Sequence, residues 1–409
     1  MDSPDQMVFG IPTDETIVDQ NNITIALKNM MIVYKGVLID SKINGTFSQG
    51  GMDFPLVLTH QKIEKQQPII RPQDPKKPYP YLSKEVTFIN KKANNIKLVG
   101  TLTLPKNVEK PMVAILISGS GPQNRNEELL GHKPFLILSD YLTKNGIAVL
   151  RYDDRGVAAS EGSQKEATSA DFATDVEAAI EYLKTRNDID TKKIGLIGHS
   201  EGGFIAPMVA SRNKDVAFIV LLAGTGVDGA TVLRTQTNKA FELAGMTKEH
   251  IAYNDQLSKD IYDIIKKEKD VEKLKIKINR YLHKTKEESP KTIANGLTDK
   301  AIEQQVKTLS SSWMRYFIKT DPKQFLAKVT CPVLALNGSK DFQVIADLNL
   351  NGIKQSLSQN KEVTTLKIDG LNHLFQTCKT GVFSEYAEIE ETFSPIALKI
   401  ITNWINKRF

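Results

Sequence analysis

The chain has 409 residues, 40% of them apolar and 25% charged, with a net charge of +6 and two cysteines; that length supports two or three domains around a substantial core. So weak a charge, with no basic stripe interleaved with aromatics, argues against nucleic acid as a partner, while Cys331 and Cys378 make neither a disulfide framework nor a metal-ligand spacing. No apolar run reaches the length of a membrane span, and the opening Met1-Asp2-Ser3-Pro4-Asp5 does not read as a signal peptide.

Residues 1–65 predict a partial N-terminal β domain. Ile23–Leu27, Ile32–Leu38, Ile43–Phe47 and Phe54–Leu58 are alternating or β-branched runs, separated by turn signals at Asp40-Ser41-Lys42 and Ser48-Gln49-Gly50-Gly51. Four strands would form an open meander with two bare edges, so a truncated barrel or sandwich is expected. Residues 66–82 hold Pro68, Pro72, Pro75, Pro78 and Pro80 among lysines and glutamines, the composition of a stiff linker.

From residue 83 to 409 the pattern changes. Glu85–Ile89 and Ile96–Leu104 predict a hairpin around Ala93-Asn94-Asn95. Strands then alternate with helices: Val113–Ile117, a helix from Phe135 to Leu142, Ile147–Tyr152, a helix from Ala173 to Leu183, Ile194–His199 with the helix after it, and Val216–Leu222. Such alternation specifies an α/β fold with a mainly parallel sheet flanked by helices, which binds ligands at the carboxyl ends of its strands. The alternation lapses over residues 226–328, a lysine-rich stretch of helical rhythm that reads as a lid inserted at the sheet edge. It resumes at Pro332–Leu336 and Val363–Ile368 and closes with a helix from Pro395 to Asn406.

Gly198-x-Ser200-x-Gly202 lies where a buried strand becomes a helix. That is the context of a nucleophile elbow, a turn so tight that glycine flanks the serine and the hydroxyl stands above the sheet. A serine nucleophile needs a base, and the base a carboxylate to hold its tautomer. Of the histidines after Ser200, His250 and His283 fall in the insert, whereas His373 lies in the loop leaving the last strand, which makes it the expected base. Asp341, just past the strand ending at Leu336, is the expected acid; Asp369 competes by its nearness to His373, but Asp369-Gly370 has turn chemistry. The oxyanion donors are expected to be the backbone N–H groups of Glu201 and of Ser120, in the loop Ser118–Gln123. Gly119-x-Gly121 could suggest a dinucleotide turn, but Pro122 and the missing third glycine oppose it. Two further runs read as structural: Arg151–Gly156, whose charges brace a loop, and Trp313–Phe317, which either lines a pocket or docks the lid.

Taken together, Ser118-Gly119-Ser120-Gly121-Pro122-Gln123-Asn124-Arg125, Tyr152-Asp153-Asp154-Arg155-Gly156, Gly198–Gly203, Gly338–Val344 and Asn372-His373-Leu374-Phe375-Gln376 resemble, in content and order, the α/β-hydrolase superfamily of serine hydrolases. Within it they are similar to the bacterial esterases of the serine aminopeptidase-like branch. The resemblance places nucleophile, acid and base on Ser200, Asp341 and His373, and implies an α/β-hydrolase fold with a helical lid. One departure is Ser118, where many relatives carry histidine. At the front, Met1–Gln6 and Ile43–Gly51 resemble the later part of a β-rich domain found in exported bacterial members, implying a periplasmic or secreted protein. The expected reaction is hydrolysis of a small, partly apolar carboxylic ester through an acyl-enzyme, without cofactor or metal. An amide or peptide hydrolase using the same triad is the alternative, and a non-catalytic ligand-binding homologue is a second.

Overall fold

The structure is a computed structural model that describes residues 13–27, 32–49, 52–60, 71–289, 294 and 296–409. The expected turn at Gly50-Gly51, the start of the linker through Pro68 and the stretch Met1–Gln6 lie outside those residues. Two compact units are present, one drawn from residues 1–68 and 270–310, the other from 69–269 and 311–409.

In the first unit, β1 (Glu15–Asp19), β2 (Asn22–Leu27), β3 (Ile32–Ile39), β4 (Lys42–Gln49) and β5 (Met52–Thr59) form an antiparallel meander in chain order. The sequence reading found β2 to β5 and missed β1. Glu15-Thr16-Ile17-Val18-Asp19 is too short and too charged to announce itself, and becomes a strand by pairing from Glu15↔Ala26 to Asp19↔Asn22. The β3–β4 turn has Asp40 and Ser41 both at positive φ, 46° and 65°, the geometry of a two-residue hairpin turn that matches strand twist. Gly36 and Gly45 face each other in register, and the Tyr34 ring fills the space they leave: a Cβ at Gly45 would fall 2.7 Å from its Cζ. The helices Val271–Glu288 and Asp299–Leu309 belong to this unit and pack on each other.

The second unit carries an eight-stranded sheet made of β6 (Leu82–Asn90), β7 (Ile96–Leu104), β8 (Val113–Ile117), β9 (Ala148–Tyr152), β10 (Ile194–His199), β11 (Val216–Leu222), β12 (Val333–Gly338) and β13 (Val363–Ile368). Its order is β13-β12-β11-β10-β8-β9-β7-β6, with β7 antiparallel to both neighbours and β8 to β13 mutually parallel. The expected hairpin joins β6 to β7, with Asn94 and Asn95 at positive φ. Every residue of β8, β9, β10 and β12 is buried, as a central parallel strand covered on both faces requires. Val113, Ile115 and Ile117 pack with the helices Ser169–Lys184 and Glu201–Ala210; Ala114 and Leu116 pack on the other face with Pro134–Lys144 and Pro395–Asn406. Each fully buried Leu, Ile or Val there is worth about 1.5–3 kcal/mol. This is the α/β-hydrolase fold that the resemblance implied. Of the insert between β11 and β12, the helices Gly229–Leu243, Lys248–Lys267, Ser312–Lys319 and Lys323–Leu326 belong to this unit. The helix Ala346–Ser356, between β12 and β13, had no counterpart in the sequence reading.

Candidate active site

The elbow is built by close approach. Ser200 follows β10 at a positive φ of 52°, with ψ −113°, and the next residue opens the helix Glu201–Ala210. A non-glycine residue holds such angles only where its surroundings dictate them. Here its N–H donates to the carbonyl of Leu222 at 2.8 Å. A Cβ at Gly198 would fall 2.0 Å from the Gly202 carbonyl oxygen, and one at Gly202 would fall 2.0 Å from that of Ile117, so no side chain fits at either position. The helix runs on through Pro207, although a proline there removes one intrahelical donor.

His373 Nδ1 lies 2.8 Å from Asp341 Oδ2, and both residues are buried. The other carboxylate oxygen of Asp341 accepts from the N–H groups of Gln343 (2.8 Å) and Val344 (2.9 Å), which fixes the acid's orientation. Asp369, the competing acid, is exposed and accepts from Ser339 Oγ at 2.8 Å. The loop holding His373 is shaped by Asn372, whose Oδ1 accepts from the N–H groups of Leu374 and Gln376, both at 3.0 Å. The His373 ring lies 4.8 Å, centroid to centroid, from that of His199, the neighbour of Ser200. Among the described residues, no hydrogen bond joins Ser200 Oγ to His373.

The loop after β8 runs beside the serine: a Cβ at Gly119 would sit 3.3 Å from Ser200 Cβ. Its Gly119 N–H is already engaged by Glu127 Oε1 at 2.7 Å. Ser118 Oγ and the Gln123 N–H both donate to Asp154, at 3.0 and 3.1 Å. The Glu201 N–H is in the first turn of its helix, where backbone donors lack an intrahelical partner. A cavity of about 10 Å³ lined by Ser118, Gly119, Gly121, Asp154 and Glu201 lies behind this loop, room for one water.

Several side chains around the site make contacts that the sequence reading did not specify. His199 is buried between Glu127 Oε1 (2.8 Å) and the carbonyl oxygen of His373 (2.9 Å). Burial alone would strip its proton, but the Glu127 carboxylate and the His373 carbonyl prevail and raise its pKa. Glu201 Oε1 accepts from Ser169 Oγ (2.6 Å) and Trp313 Nε1 (2.7 Å); burial raises its pKa, and these two donors oppose the rise. Trp313 stacks on Phe317 at 5.2 Å, and Phe317 meets Phe204 edge-on at 5.7 Å, so this run docks the helix Ser312–Lys319 on the elbow helix. Burial, with the nearby charges of Glu201 and Glu127, pushes Asp154 up to about 8 against the hydrogen bonds from Gln123 and Ser118. The charges of Arg151–Gly156 do brace the loop, though through partners outside it. Asp153 takes Arg125 in two bonds of 3.0 and 2.6 Å, and Arg155 takes Asp175 at 2.7 and 2.9 Å. Nothing in local spacing marks Glu127, whose partner His199 is 72 residues away. Both cysteines are free. Among the described residues, no group of three or more His, Cys, Asp or Glu is placed to hold a metal ion, and no helix is long and apolar enough to cross a membrane.

Residues 135–374, more than half of the chain, match the family described as serine aminopeptidase, S33. Esterase EstD of Thermotoga maritima is 25% identical over 280 residues, 68% of this chain and 58% of its own length. An acyl transferase of Photobacterium leiognathi is 32% identical over 123 residues, 30% of this chain and 36% of its own. The chain therefore spans less than two thirds of either relative. Among solved structures, the Pyrococcus furiosus esterase Pf2001 superposes with a TM-score of 0.48 at 14% identity, covering 80% of this chain and 91% of that one.

Proposed function

The chain belongs to the serine aminopeptidase S33 family, and from that premise we propose that it is a serine hydrolase cleaving carboxylic esters through an acyl-enzyme on Ser200. The observation that carries the reading is the buried 2.8 Å contact of His373 with Asp341, beside a serine held at positive φ on a glycine-flanked elbow. In the reaction, Ser200 Oγ attacks the ester carbonyl while His373 Nε2 takes its proton. Asp341 holds the Nδ1–H and stabilises the imidazolium. The Glu201 and Ser120 N–H groups receive the oxyanion. His373 then protonates the departing alcohol, and a water deprotonated by the same ring releases the acid and frees Ser200.

The esterase name of the Thermotoga relative supports an ester. The family description supports the second reading, an amide or peptide bond cut by the same triad. Rapid turnover of p-nitrophenyl esters, none of aminoacyl anilides, and fluorophosphonate labelling lost in Ser200→Ala are the expected results; anilide turnover without ester turnover would overturn the ester assignment. The reading also takes residues 1–65 as part of a β domain, 66–82 as a linker, 83–409 as the hydrolase domain and 226–328 as its lid. Resemblance to exported bacterial members supports a periplasmic or secreted location, which fractionation of the native host would test.

A further inference from the structure

His199 is a tightly held titratable group beside the proposed triad. It is 7% exposed, and both ring nitrogens face acceptors: Nδ1 the Glu127 carboxylate, Nε2 the backbone carbonyl of His373. A neutral imidazole carries one N–H and can serve only one of them. A buried acceptor left facing a lone pair is unfavourable. Protonation of both nitrogens removes that conflict. Glu127 Oε1 also accepts the Gly119 N–H at 2.7 Å, so one carboxylate oxygen serves both the loop and the ring. Around the ring stand Glu127, the carbonyl and ring of His373, Asp341 behind that ring, and the edge of Phe375 at 6.4 Å.

Three segments meet at this pair. Gly119 belongs to the loop expected to hold the oxyanion, His199 precedes Ser200, and the carbonyl that His199 holds is that of His373. We propose that Glu127 and His199 form a buried carboxylate–imidazolium pair that positions the base loop and the oxyanion loop against the elbow. The pair touches neither substrate nor reacting atoms, so both are positioning residues, and their role rests on the Ser200–His373–Asp341 reading. Rotation of the His373 backbone away from the serine leaves a charged N–H without an acceptor. Withdrawal of the Gly119 loop does the same to the carboxylate.

The test has a part that needs no activity. In protein labelled with 15N-histidine, the signals missing from His199→Gln identify the His199 ring among the six histidines. Both nitrogens are expected to carry protons at pH 7; an unprotonated Nδ1 or Nε2 overturns the pair. The second part is kinetic. Glu127→Gln keeps an oxygen for Gly119 and removes the charge. It and His199→Gln are each expected to lower kcat on a p-nitrophenyl ester about 100-fold, the order of loss from a misplacement of about 1 Å, with KM nearly unchanged. The double variant is expected to lose little more than either single one, since the two act as a unit. Wild-type kcat in folded Glu127→Gln, or fully additive losses, would overturn the positioning role. Failure of wild-type protein to take a fluorophosphonate would instead count against the hydrolase reading, while the NMR result would still stand on its own.

Discussion

A carboxylate helps a serine hydrolase only if it faces the imidazole from a fixed position, and the two candidate acids differ in just that respect. Asp341 is buried, with one oxygen held by two backbone N–H groups and the other on His373; Asp369 is exposed and caps a turn through Ser339. Asp341→Asn is therefore expected to lower kcat about 10⁴-fold, the loss seen when a triad carboxylate is neutralised, while Asp369→Asn stays near wild type. Steady-state kinetics on one ester decides between them, and the reverse order would move the acid. Ser200 and His373 could be proposed from sequence because the elbow is a local motif and the loop after the last strand is a topological position. Glu127 was not legible: a carboxylate beyond a glycine loop looks like any surface acid until folding brings His199 to it.

The elbow depends on how closely the strand and helix that meet at Ser200 approach other backbone. Glycine at 202 lets the helix start pass under the carbonyl of Ile117, which a methyl group would strike at 2.0 Å. Since Ile117 ends a buried strand of the sheet and Gly202 lies in the buried helix start packed on it, neither backbone can yield cheaply. Gly202→Ala is expected to cost about 3 kcal/mol or more, the upper range for overpacking, read as a fall in the urea midpoint; a shift within error would mean that the elbow relaxes. Trp313 ties the helix Ser312–Lys319 to Glu201. Trp313→Phe keeps the aromatic stacking but removes a donor to a buried carboxyl, for an expected loss of about 1–3 kcal/mol in the same measurement. Strands and major helices of the sheet domain were legible from apolar runs and helical rhythm. Strand β1 and the helix Ala346–Ser356 were not, the first too short for periodicity and the second of weak apolar pattern.

Across the whole molecule, proton binding couples these sites to stability. Asp154, ordinarily 3.8, stands near 8 in the folded protein, so between those values the folded state keeps a proton that the unfolded chain releases. Its contribution therefore falls as pH rises from about 4 to about 8. His199 is raised above 6.5; its contribution is complete below that value and is lost as pH rises through the folded pKa. Asp154→Asn removes the first of these, so its urea midpoint is expected to gain on wild type between pH 5 and pH 8. A constant difference would refute the assignment. By itself the sequence determined the alternation of strands and helices, and hence the sheet, because buried parallel strands and their helices declare themselves in runs of a few residues. It also determined the serine at the strand-to-helix turn, because the crowding that excludes side chains there is local. What Glu201 and Glu127 bind, and which unit the helix Val271–Glu288 joins, were decided only by tertiary structure. Those contacts join residues tens to hundreds of positions apart, and nothing in the chemistry of either partner alone specifies the other.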